Sequence, residues 1–551
     1  MQTVMRSVNK RMSGTQGIEF TADVLVIGGG PAGAWAAWSA AREGAKVVLA
    51  DKGYLGSSGA TAPGGTNLLV LPPDRELRDA AVRQRVEASG YLAEERWIHR
   101  VLDQVYTSLL LVESWGYPFV RDENGTPMRN HLQGPEYMKL MRRAAAKAGV
   151  RILDQSPALE LLRDEHGAAG ARGVSRLDGR EWTVRAHAVV IATGGCAFLS
   201  KGLGCNVLTG EGLLMSAELG AELSGMEFTR QYAPSAAFGT VTRGRLLNWA
   251  TLYDEEGQEL EGHGNRGGLH RLLHEGKKVF AVMDKADTEE KRSILRQSHA
   301  IFFLPYDRAG IDPFTQPFPL TLRYEGTVRG TGGLRLTEDD CSTTVPGLYA
   351  AGDAATRERV TGAISGGGAY NASWAISSGT WAGAGAARYA LSQGRDAGQR
   401  LARPAGTAGT AAYEAGPAGS FQAQDVIEGV QREVFPLGIN YYRSVPVLKQ
   451  SLQRLDALWS GMGGAVPDTV QARVRSREAA AMAAAARWMY SAALGRRETR
   501  GMHTLAEYPQ ADPLQQHRLI VSGIGGIRLR PEAVPGSPAV RIETLQEEVR
   551  T

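Results

Sequence analysis

Cysteine is scarce in this chain of 551 residues, which contains only Cys196, Cys205 and Cys341. A low and odd number of cysteines argues against a disulfide framework and is typical of a protein that folds in a reducing compartment. No cysteine or histidine spacing resembles a zinc or iron–sulfur site, so we expect no metal and three buried structural thiols. The expected location is the cytoplasm.

The chain also lacks a marked excess of either charge, with 62 basic and 58 acidic residues and a net charge of +4. The two signs are interspersed, whereas a nucleic-acid-binding protein usually concentrates lysine and arginine on one face. No apolar run is long enough to span a bilayer, and Met1–Phe20 has no apolar signal-peptide core. We therefore expect no nucleic-acid partner, no membrane segment and a flexible leader at residues 1–20.

Glycine, in contrast, is abundant, and its 68 residues cluster in motifs that indicate close contacts between backbone and ligand. The first motif follows the apolar run Asp23–Ile27, which predicts a buried parallel strand. A helix over Ala34–Glu43 and a second strand over Lys46–Ala50 complete a βαβ unit. The sequence between the first strand and the helix, Gly28–Gly33, reads GGGPAG.

Each of three glycines in this dinucleotide motif has a physical role. Gly28 permits the tight turn, Gly30 allows the backbone to approach a pyrophosphate, and Gly33 allows the helix to pack on the strand. The free N–H groups at the helix start attract phosphates, and Asp51 after the second strand is placed to accept hydrogen bonds from ribose hydroxyls. The motif predicts an adenine dinucleotide, and leaves FAD and NAD both open.

Further blocks favour FAD, because they resemble the flavoproteins of succinate dehydrogenase, fumarate reductase and L-aspartate oxidase. The adenylylsulfate reductase flavoprotein shares the same frame. The resemblance spans Asp23 to about Asp512 in the order of the family, and its blocks are Asp51–Gly65, Val189–Gly195 (VVIATGG), Asn206–Phe228, Gly347–Asp353 (GLYAAGD) and Arg497–Pro509.

The resemblance implies a set of residues that hold FAD. Family members with covalent flavin attach it through a histidine in the early loop; Ser58 stands there in this chain, so we predict non-covalent FAD. Glu211 stands where the family usually has an aspartate. The implied FAD-binding residues are Gly28, Gly30, Pro31, Ala32, Gly33, Asp51, Lys52, Ser57, Ser58, Thr61, Gly64, Gly65, Ala192, Thr193, Gly194, Asn206, Glu211, Gly352, Asp353, Tyr370 and Asn371.

The implied fold is α/β, a Rossmann-like FAD-binding domain with an inserted α+β capping domain and a C-terminal helical domain. Residues 425–455 and 472–494 have the patterns of amphipathic helices, and the chain looks extended over 518–543. The expected divisions are a leader at 1–20, the FAD-binding domain at 21–235 and 327–400, the capping domain at 236–326, a linker at 401–424, and the helical domain with an extended tail at 425–551.

The residues with which the family handles dicarboxylates are mostly missing. Ala233 replaces the histidine of the family's QFHPT block, and the histidine before the pair Gly332-Gly333 is also absent. Ser365 replaces the arginine that clamps the substrate. A planar guanidinium binds a carboxylate through two parallel hydrogen bonds, and serine cannot replace it. The losses argue against a succinate or fumarate enzyme.

Six residues are catalytic candidates, and four of them have a structural alternative. Arg500 could instead pair with Glu498, and His503 could be a hydrogen-bonded core histidine. Tyr232 could serve in packing and Arg329 could be a charge at the rim of the pocket. The full set, drawn from the cap and the C-terminal block, is His503, Arg500, Arg266, His270, Tyr232 and Arg329.

The sequence predicts an FAD-dependent oxidoreductase, whether dehydrogenase, oxidase or reductase. It would transfer a hydride between flavin N5 and a small amino- or carboxylic-acid-like substrate at a C–C or C–N bond. The electron acceptor would be a protein or oxygen, and a homo-oligomer is compatible with the sequence. Two alternatives stay open: a flavoprotein subunit with an iron–sulfur partner, and an FAD-binding protein that has lost catalysis.

Overall fold

The computed structural model describes residues 17–121, 124–242, 244–260, 266–365, 367–394, 396–406, 422–462, 467 and 469–535. The strands in this part of the chain are β1 (Ile18–Ile27), β2 (Val47–Ala50), β3 (Thr66–Asn67), β4 (His131–Leu132), β5 (Arg151–Leu153), β6 (Ala158–Asp164), β7 (Gly167–Val174), β8 (Glu181–Ile191), β9 (Leu223–Ser224), β10 (Tyr232–Ala236), β11 (Thr251–Tyr253), β12 (Phe280–Val282), β13 (Phe318–Tyr324), β14 (Gly333–Leu334), β15 (Leu348–Ala350), β16 (Arg403–Pro404), β17 (His517–Ser522) and β18 (Arg528–Ala533).

The α-helices of the same residues vary from one turn to seven. They are α1 (Pro31–Arg42), α2 (Arg75–Ala88), α3 (Glu95–Ser114), α4 (Gly134–Lys147), α5 (Glu211–Glu218), α6 (Arg266–His274), α7 (Glu289–Ser298), α8 (Ala300–Ala309), α9 (Gly326–Arg329), α10 (Glu358–Thr361), α11 (Gly367–Ser392), α12 (Ala423–Val434), α13 (Leu437–Asn440), α14 (Val445–Gly461) and α15 (Val470–Gly495). None of the described helices is long and apolar enough to cross a membrane.

The main sheet is organised around β1, which pairs in parallel with β2 on one side and β8 on the other. Its order in the described residues is β16-β6-β7-β8-β1-β2-β5, and β15 also pairs in parallel with β8. The apolar run Val24–Ile27 is buried, as expected of a parallel strand covered on both faces. The α/β fold class predicted from the sequence is confirmed.

Helices α1 and α11 cover one face of this sheet at close range. A Cβ atom at Gly379 would lie 2.4 Å from the carbonyl oxygen of Ala32, and one at Gly383 would lie 2.2 Å from that of Ala36. The two glycines are four residues apart and therefore lie on the same face of α11. They allow α11 to pack directly on α1, whose first turn carries the dinucleotide motif.

The prediction of a flexible leader at residues 1–20 is wrong for its last three residues. Ile18–Phe20 belong to β1, where they pair in register with Trp182–Val184 of β8. These extra backbone hydrogen bonds extend the strand beyond its apolar run, which is why hydrophobicity alone placed the start at Asp23. Residues 1–16 lie outside the described residues.

A second sheet and a second hydrophobic core occupy the range predicted for the capping domain, although strand β10 of the sheet begins at Tyr232, before that range. The sheet has the order β10-β13-β12-β11, and all of its pairings are antiparallel. The core contains aromatic side chains of α8, among them Phe302, Phe303 and Tyr306. The cluster runs from Ala236 to Leu320, and the boundaries at 236 and 326 stay a prediction.

The C-terminal helices share the main core, since α15 packs against α12, α14 and α5. The single helix predicted over Asp425–Leu455 is wrong, because α12 ends at Val434 and α14 begins at Val445. Pro436 follows the first break and Pro446 occupies the first turn of α14, and proline lacks the N–H that a continuous helix requires.

The predicted linker is wrong where it forms the edge of the main sheet. Arg403 and Pro404 form β16 and pair with Arg163 and Leu162 of β6. Residues 407–421 of this range lie outside the described residues. The predicted extended tail contains β17 and β18, which pair with each other and, through β17, with β9.

Candidate functional site: a dinucleotide cavity

A cavity of about 1040 Å³ opens at the carboxyl ends of the parallel strands. Ile27 ends β1, Ala50 ends β2, Ala192 follows β8, and Gly352 follows β15; all four line the cavity. Open α/β sheets bind their ligands at this edge, because the loops that leave neighbouring strands diverge there.

The glycine turn at the start of α1 has the geometry that close ligand contact requires. Gly28 has a φ of +108°, and a Cβ atom there would lie 2.3 Å from the carbonyl oxygen of Ala192. A Cβ atom at Gly33 would lie 1.8 Å from the carbonyl oxygen of Gly28. At Gly30 a Cβ atom would meet only Gly59, at 3.6 Å, so this position is crowded by no protein backbone and faces the cavity.

Asp51 is fixed at the edge of the cavity by three donors. The backbone N–H of Gly29 and the hydroxyl of Ser58 both donate to its carboxylate, and the N–H of Gly53 donates at 2.7 Å. The carboxylate is thereby oriented beside the glycine turn, where the ribose of a dinucleotide needs an acceptor.

Lys52 joins the early loop to two distant helices. Its Nζ lies 2.7 Å from Glu211 of α5 and 3.1 Å from Glu478 of α15. Burial lowers the pKa of Lys52, but the two carboxylates outweigh burial and hold the pKa above its ordinary value. All three residues line the cavity, and Glu211 therefore pairs with lysine in addition to facing the ligand.

Asp353, Arg329 and Asn371 line the cavity near the loop after β15, and Arg357 fixes the backbone on which two of them depend. The buried Arg357 guanidinium donates to Asp353 and, at 3.1 Å, to the carbonyl oxygen of Val328. Asn371 donates at 3.3 Å to the same Val328 oxygen, next to Arg329. Burial raises the pKa of Asp353 despite the guanidinium.

Asn371 has a polar atom that the protein leaves without a partner. Its side-chain oxygen is buried and accepts no hydrogen bond from the described residues, although the residue lines the cavity. A buried acceptor without a donor is costly, and a ligand with an N–H or O–H group would satisfy it.

Most of the residues predicted to hold FAD line this one cavity. Gly33 and Gly64 do not: Gly33 packs beneath the turn, and the N–H of Gly64 donates to Thr61 within its loop. Tyr370 is also outside the lining, and the Arg85 guanidinium lies over its ring at 4.0 Å. Lining the cavity are Gly28, Gly30, Pro31, Ala32, Asp51, Lys52, Ser57, Ser58, Thr61, Gly65, Ala192, Thr193, Gly194, Asn206, Glu211, Gly352, Asp353 and Asn371.

Arg329 lines the cavity and is the catalytic candidate that the structure places beside the predicted flavin-binding residues. Its side chain is about 25% exposed, and its Nε lies 3.8 Å from Glu325. Burial lowers the pKa of Arg329, but nearby Glu325 and the other acidic groups outweigh burial and raise it, so the side chain remains a cation.

His503 and Arg500 lie away from the cavity lining, in a buried network of ion pairs. Both guanidinium edges of Arg500 are used, by Glu498 at 2.7 and 2.9 Å and by the carbonyl oxygens of Gly90 and Asp512. His503 contacts the carbonyl oxygen of Arg496 at 2.8 Å. Burial, together with neighbouring arginines, lowers the pKa of His503 well below its ordinary value, so the ring is neutral.

The described candidates from the cap lie where the sheet of the cap meets the C-terminal helical region. The hydroxyl of Tyr232 donates to the carbonyl oxygen of Val434 at 2.7 Å. His270 lies 3.1 Å from the carbonyl oxygen of Tyr232 and stacks on Tyr441 with ring centroids 4.4 Å apart. Neither residue lines the dinucleotide cavity, and the side chain of Arg266 lies outside the described part of the chain.

Several lining residues were missed by the sequence analysis. Arg475 and Glu478 reach the cavity from α15, more than 400 residues after the glycine turn, and Arg176 follows β7. Nothing in their local sequence signals a ligand.

The fold and the cavity define a flavin-binding enzyme of the α/β class, and residues 23–370 match the FAD binding domain family. The chain belongs to this family and is an FAD-dependent oxidoreductase. The resemblance drawn from the sequence, and with it FAD as the cofactor, is confirmed.

Individual relatives support this assignment at modest sequence identity. An uncharacterised FAD-dependent oxidoreductase of Methanocaldococcus jannaschii is 23% identical over 91% of this chain and 96% of its own. L-aspartate oxidase of Streptomyces coelicolor is 26% identical over 94% and 93%. The fumarate reductase flavoprotein subunit of a Serratia strain is 25% identical over 61% and 63%. The solved E. coli quinol fumarate reductase chain superposes with a TM-score of 0.77 at 19% identity, covering 94% of this chain and 97% of that one.

Proposed function

We propose that this oxidoreductase exchanges a hydride between flavin N5 and a carbon of a small amino- or carboxylic-acid-like substrate, at a C–C or C–N bond. The observation that carries the proposal is the set of Asp353, Arg329 and Asn371 in the lining of the cavity. It combines a cation and an acceptor without a partner among the described residues with the loop after β15. Bound flavin supplies the redox chemistry, and the protein supplies binding and orientation.

FAD is held without a covalent bond in this proposal. The turn at Gly28–Pro31 and the start of α1 bind the pyrophosphate. Asp51 accepts hydrogen bonds from a ribose, and Asp353 from the ribityl chain. The described residues that line the cavity include no histidine and no cysteine, two side chains that form flavin linkages. Ser58, at the family's attachment position, already donates its hydroxyl to Asp51.

Arg329 binds the carboxylate of the substrate. It is the lining cation nearest in sequence to Val328, whose carbonyl oxygen Asn371 and Arg357 share. A single guanidinium fits one carboxylate, whereas a dicarboxylate needs a second anchor, and Ser365 stands where the family has one. The proposed substrate is therefore a monocarboxylic or amino acid in place of succinate or fumarate.

A screen of amino acids and small carboxylic acids tests the function. The oxidised protein should lose its yellow absorbance under anaerobic conditions with at least one monocarboxylic or amino acid, and should lose it more slowly after Arg329→Met. Failure of every acid to reduce the flavin, while dithionite reduces it, would contradict the proposed reaction. Acid denaturation should release all of the flavin into the supernatant, and flavin retained on the precipitate would contradict non-covalent binding.

A flavoprotein subunit with an iron–sulfur partner is the second arrangement. It is favoured by the fumarate reductase relative, which is itself a flavoprotein subunit. A tagged chain purified from its own source under anaerobic conditions decides between the two arrangements. Recovery of a brown complex with stoichiometric iron and sulfide favours the subunit, and recovery of a chain that turns over with oxygen or a soluble dye favours the free-standing enzyme.

A further inference from the structure

A second cavity, of about 500 Å³, lies against the dinucleotide cavity and plays no part in the function proposed above. Its walls include the loop Leu199–Lys201 after β8, strand β13 of the cap, and the segment with Phe435 and Leu437 from the end of α12 to the start of α13; single residues of β10, α6 and α12 complete them. Ligand sites favour such junctions, and this volume lies within the range of small-molecule pockets.

The polar groups of this cavity have a common sign. Arg323 and Lys201 line it, and no acidic residue is among its described lining residues. Among the described residues neither cation has a carboxylate within ion-pair distance. One nitrogen of Arg323 donates a hydrogen bond to the carbonyl oxygen of Gly239 at 2.7 Å. A concave surface with two uncompensated cations attracts an anion.

Two buried polar atoms of the lining residues have no hydrogen-bond partner among the residues that the structure describes. They are the hydroxyl oxygen of Ser200, a residue only 7% exposed, and Nε of Arg323. Buried donors without acceptors are rare because each costs free energy. Both groups donate hydrogen bonds, and a carboxylate offers the acceptors that they lack.

Apart from Thr321 and Gln431, the remaining lining residues are apolar or aromatic. Tyr232, Tyr324, Phe435 and Leu322 supply flat and aliphatic surface. An inorganic anion would leave this surface without contact, whereas a carboxylate attached to an aromatic or branched body would cover it.

The loop between the two cavities is held in an unusual conformation. Phe198, Leu199 and Lys201 have φ values of +56°, +57° and +60°, and none of them is glycine. Side chains with a Cβ rarely adopt this region, and strained backbone of this kind clusters at ligand sites. The carbonyl oxygen of Phe198 accepts a hydrogen bond from Gln431 of α12 at 2.8 Å, and Leu199 lines both cavities.

We propose that this second cavity binds a small carboxylic acid with an aromatic or branched apolar body, its carboxylate on Arg323, Ser200 and Lys201. Because Leu199 is shared, occupation of the second cavity alters the surroundings of FAD. The proposal concerns binding, so it holds whether or not the proposed hydride transfer does.

Titration of the FAD-loaded protein with 3-phenylpropanoate tests this site, with 3-phenylpropanamide as the uncharged matched ligand. Calorimetry should show the acid binding at least about 10-fold more tightly than the amide, and the flavin absorbance should shift on addition of the acid. Equal affinity for the two, or no heat with the acid up to about 10 mM, would overturn the proposal.

Three variants complete the test. Arg323→Met should weaken binding of the acid about 10-fold or more, and Ser200→Ala about 3-fold, through loss of one donor. The control is Arg308→Met, an exposed arginine at the end of α8, which should leave the affinity unchanged. Ser200→Ala removes a single oxygen atom, so it keeps the test decisive if the Arg323 variant does not fold. Unchanged affinity in folded Ser200 and Arg323 variants would refute the site.

Discussion

Two regions of the molecule lie within the part of the chain that resembles the same flavoproteins: the glycine turn of the dinucleotide cavity and the ion network around Arg496. In the first region polar groups line the cavity, whereas in the second they pair with one another inside the protein. Around the cavity, Asn371 and the N–H groups at the start of α1 face open space. Around Arg496, the guanidinium is shared between Glu227 at 2.7 Å and Glu498 at 2.9 Å, deep in the protein. Resemblance of a block therefore does not show whether the block meets the ligand or supports the fold.

The network illustrates a structural use of charged residues. Arg496, Glu227 and Glu498 are all completely buried, and they connect the end of α15 to the segment before β10. Buried charges are tolerated when each has partners, and the loss of one partner leaves another charge stranded. Arg500 and His503 extend this network, which explains why they resemble functional residues in sequence while lying outside the cavity lining.

The largest expected effect separates ligand binding from folding at Gly30. In Gly30→Val the added side chain would point into the cavity with only Gly59 nearby, so the fold should persist while the approach of the pyrophosphate is blocked. We expect FAD affinity to fall at least about 1000-fold, since the phosphates lose their backbone contacts. Flavin content and fluorescence titration measure the loss. Gly525→Val, at an open position in the turn before β18, is the control and should keep its flavin.

The matching change in the network is Arg496→Met. It leaves Glu227 and Glu498 buried without their shared cation, and should lower the free energy of unfolding by about 3–5 kcal/mol. Urea denaturation followed by tryptophan fluorescence measures the difference. The matched control Arg497→Met changes the next residue along the chain. Equal destabilisation by the two substitutions would contradict the structural role of the network.

A smaller effect is expected at the cavity's own cation. Arg329→Met should slow flavin reduction by the best acid substrate about 100-fold, because the carboxylate loses a bidentate partner, and should lower stability less than Arg496→Met does. Stopped-flow absorbance with that acid measures the rate, and photoreduction of the flavin provides a reference that needs no substrate. Arg500→Met should reverse the pattern, lowering stability with a smaller effect on the rate in the protein that remains folded. The same rate loss in both variants would show that Arg329 acts only through the fold.

The smallest effect is a pH dependence at His517. Burial, with Arg496 nearby, lowers the pKa of His517 to about 4 in the folded protein, compared with an ordinary value of 6.5. The unfolded chain takes up a proton below pH 6.5 before the folded chain does, so stability is lost as the pH falls from about 6.5 towards 4. His517→Gln should remove about 1–2 kcal/mol of the difference in stability between pH 7.5 and pH 5. Urea denaturation at both pH values gives the difference between the two proteins, in which other titrating groups cancel; identical pH dependence would contradict it.

The fold was predictable to the extent that its signals are local. The run Asp23–Ile27, the turn at Gly28–Gly33 and the second strand at Lys46–Ala50 identified the βαβ unit, and the structure has all three. The pairing of Ile18 with Trp182 and of Arg403 with Arg163 depends on backbone partners far along the chain, which no local pattern reveals. Pro436 and Pro446 did carry a local signal for the helix break.

The sequence by itself determined the dinucleotide turn, because such a turn needs particular residues within a few positions of one another. It also indicated the flavin and the class of enzyme, through blocks that resemble one family in the same order along the chain. Only the tertiary structure decided which charged side chains reach the ligand. Arg329 faces the cavity while Arg500 is saturated by Glu498 and two carbonyl oxygens, and Arg475 arrives from a helix far along the chain. The physical reason is that the neighbours of a charged side chain decide whether it is paired within the protein or available to a ligand. Those neighbours are brought together only when the chain folds.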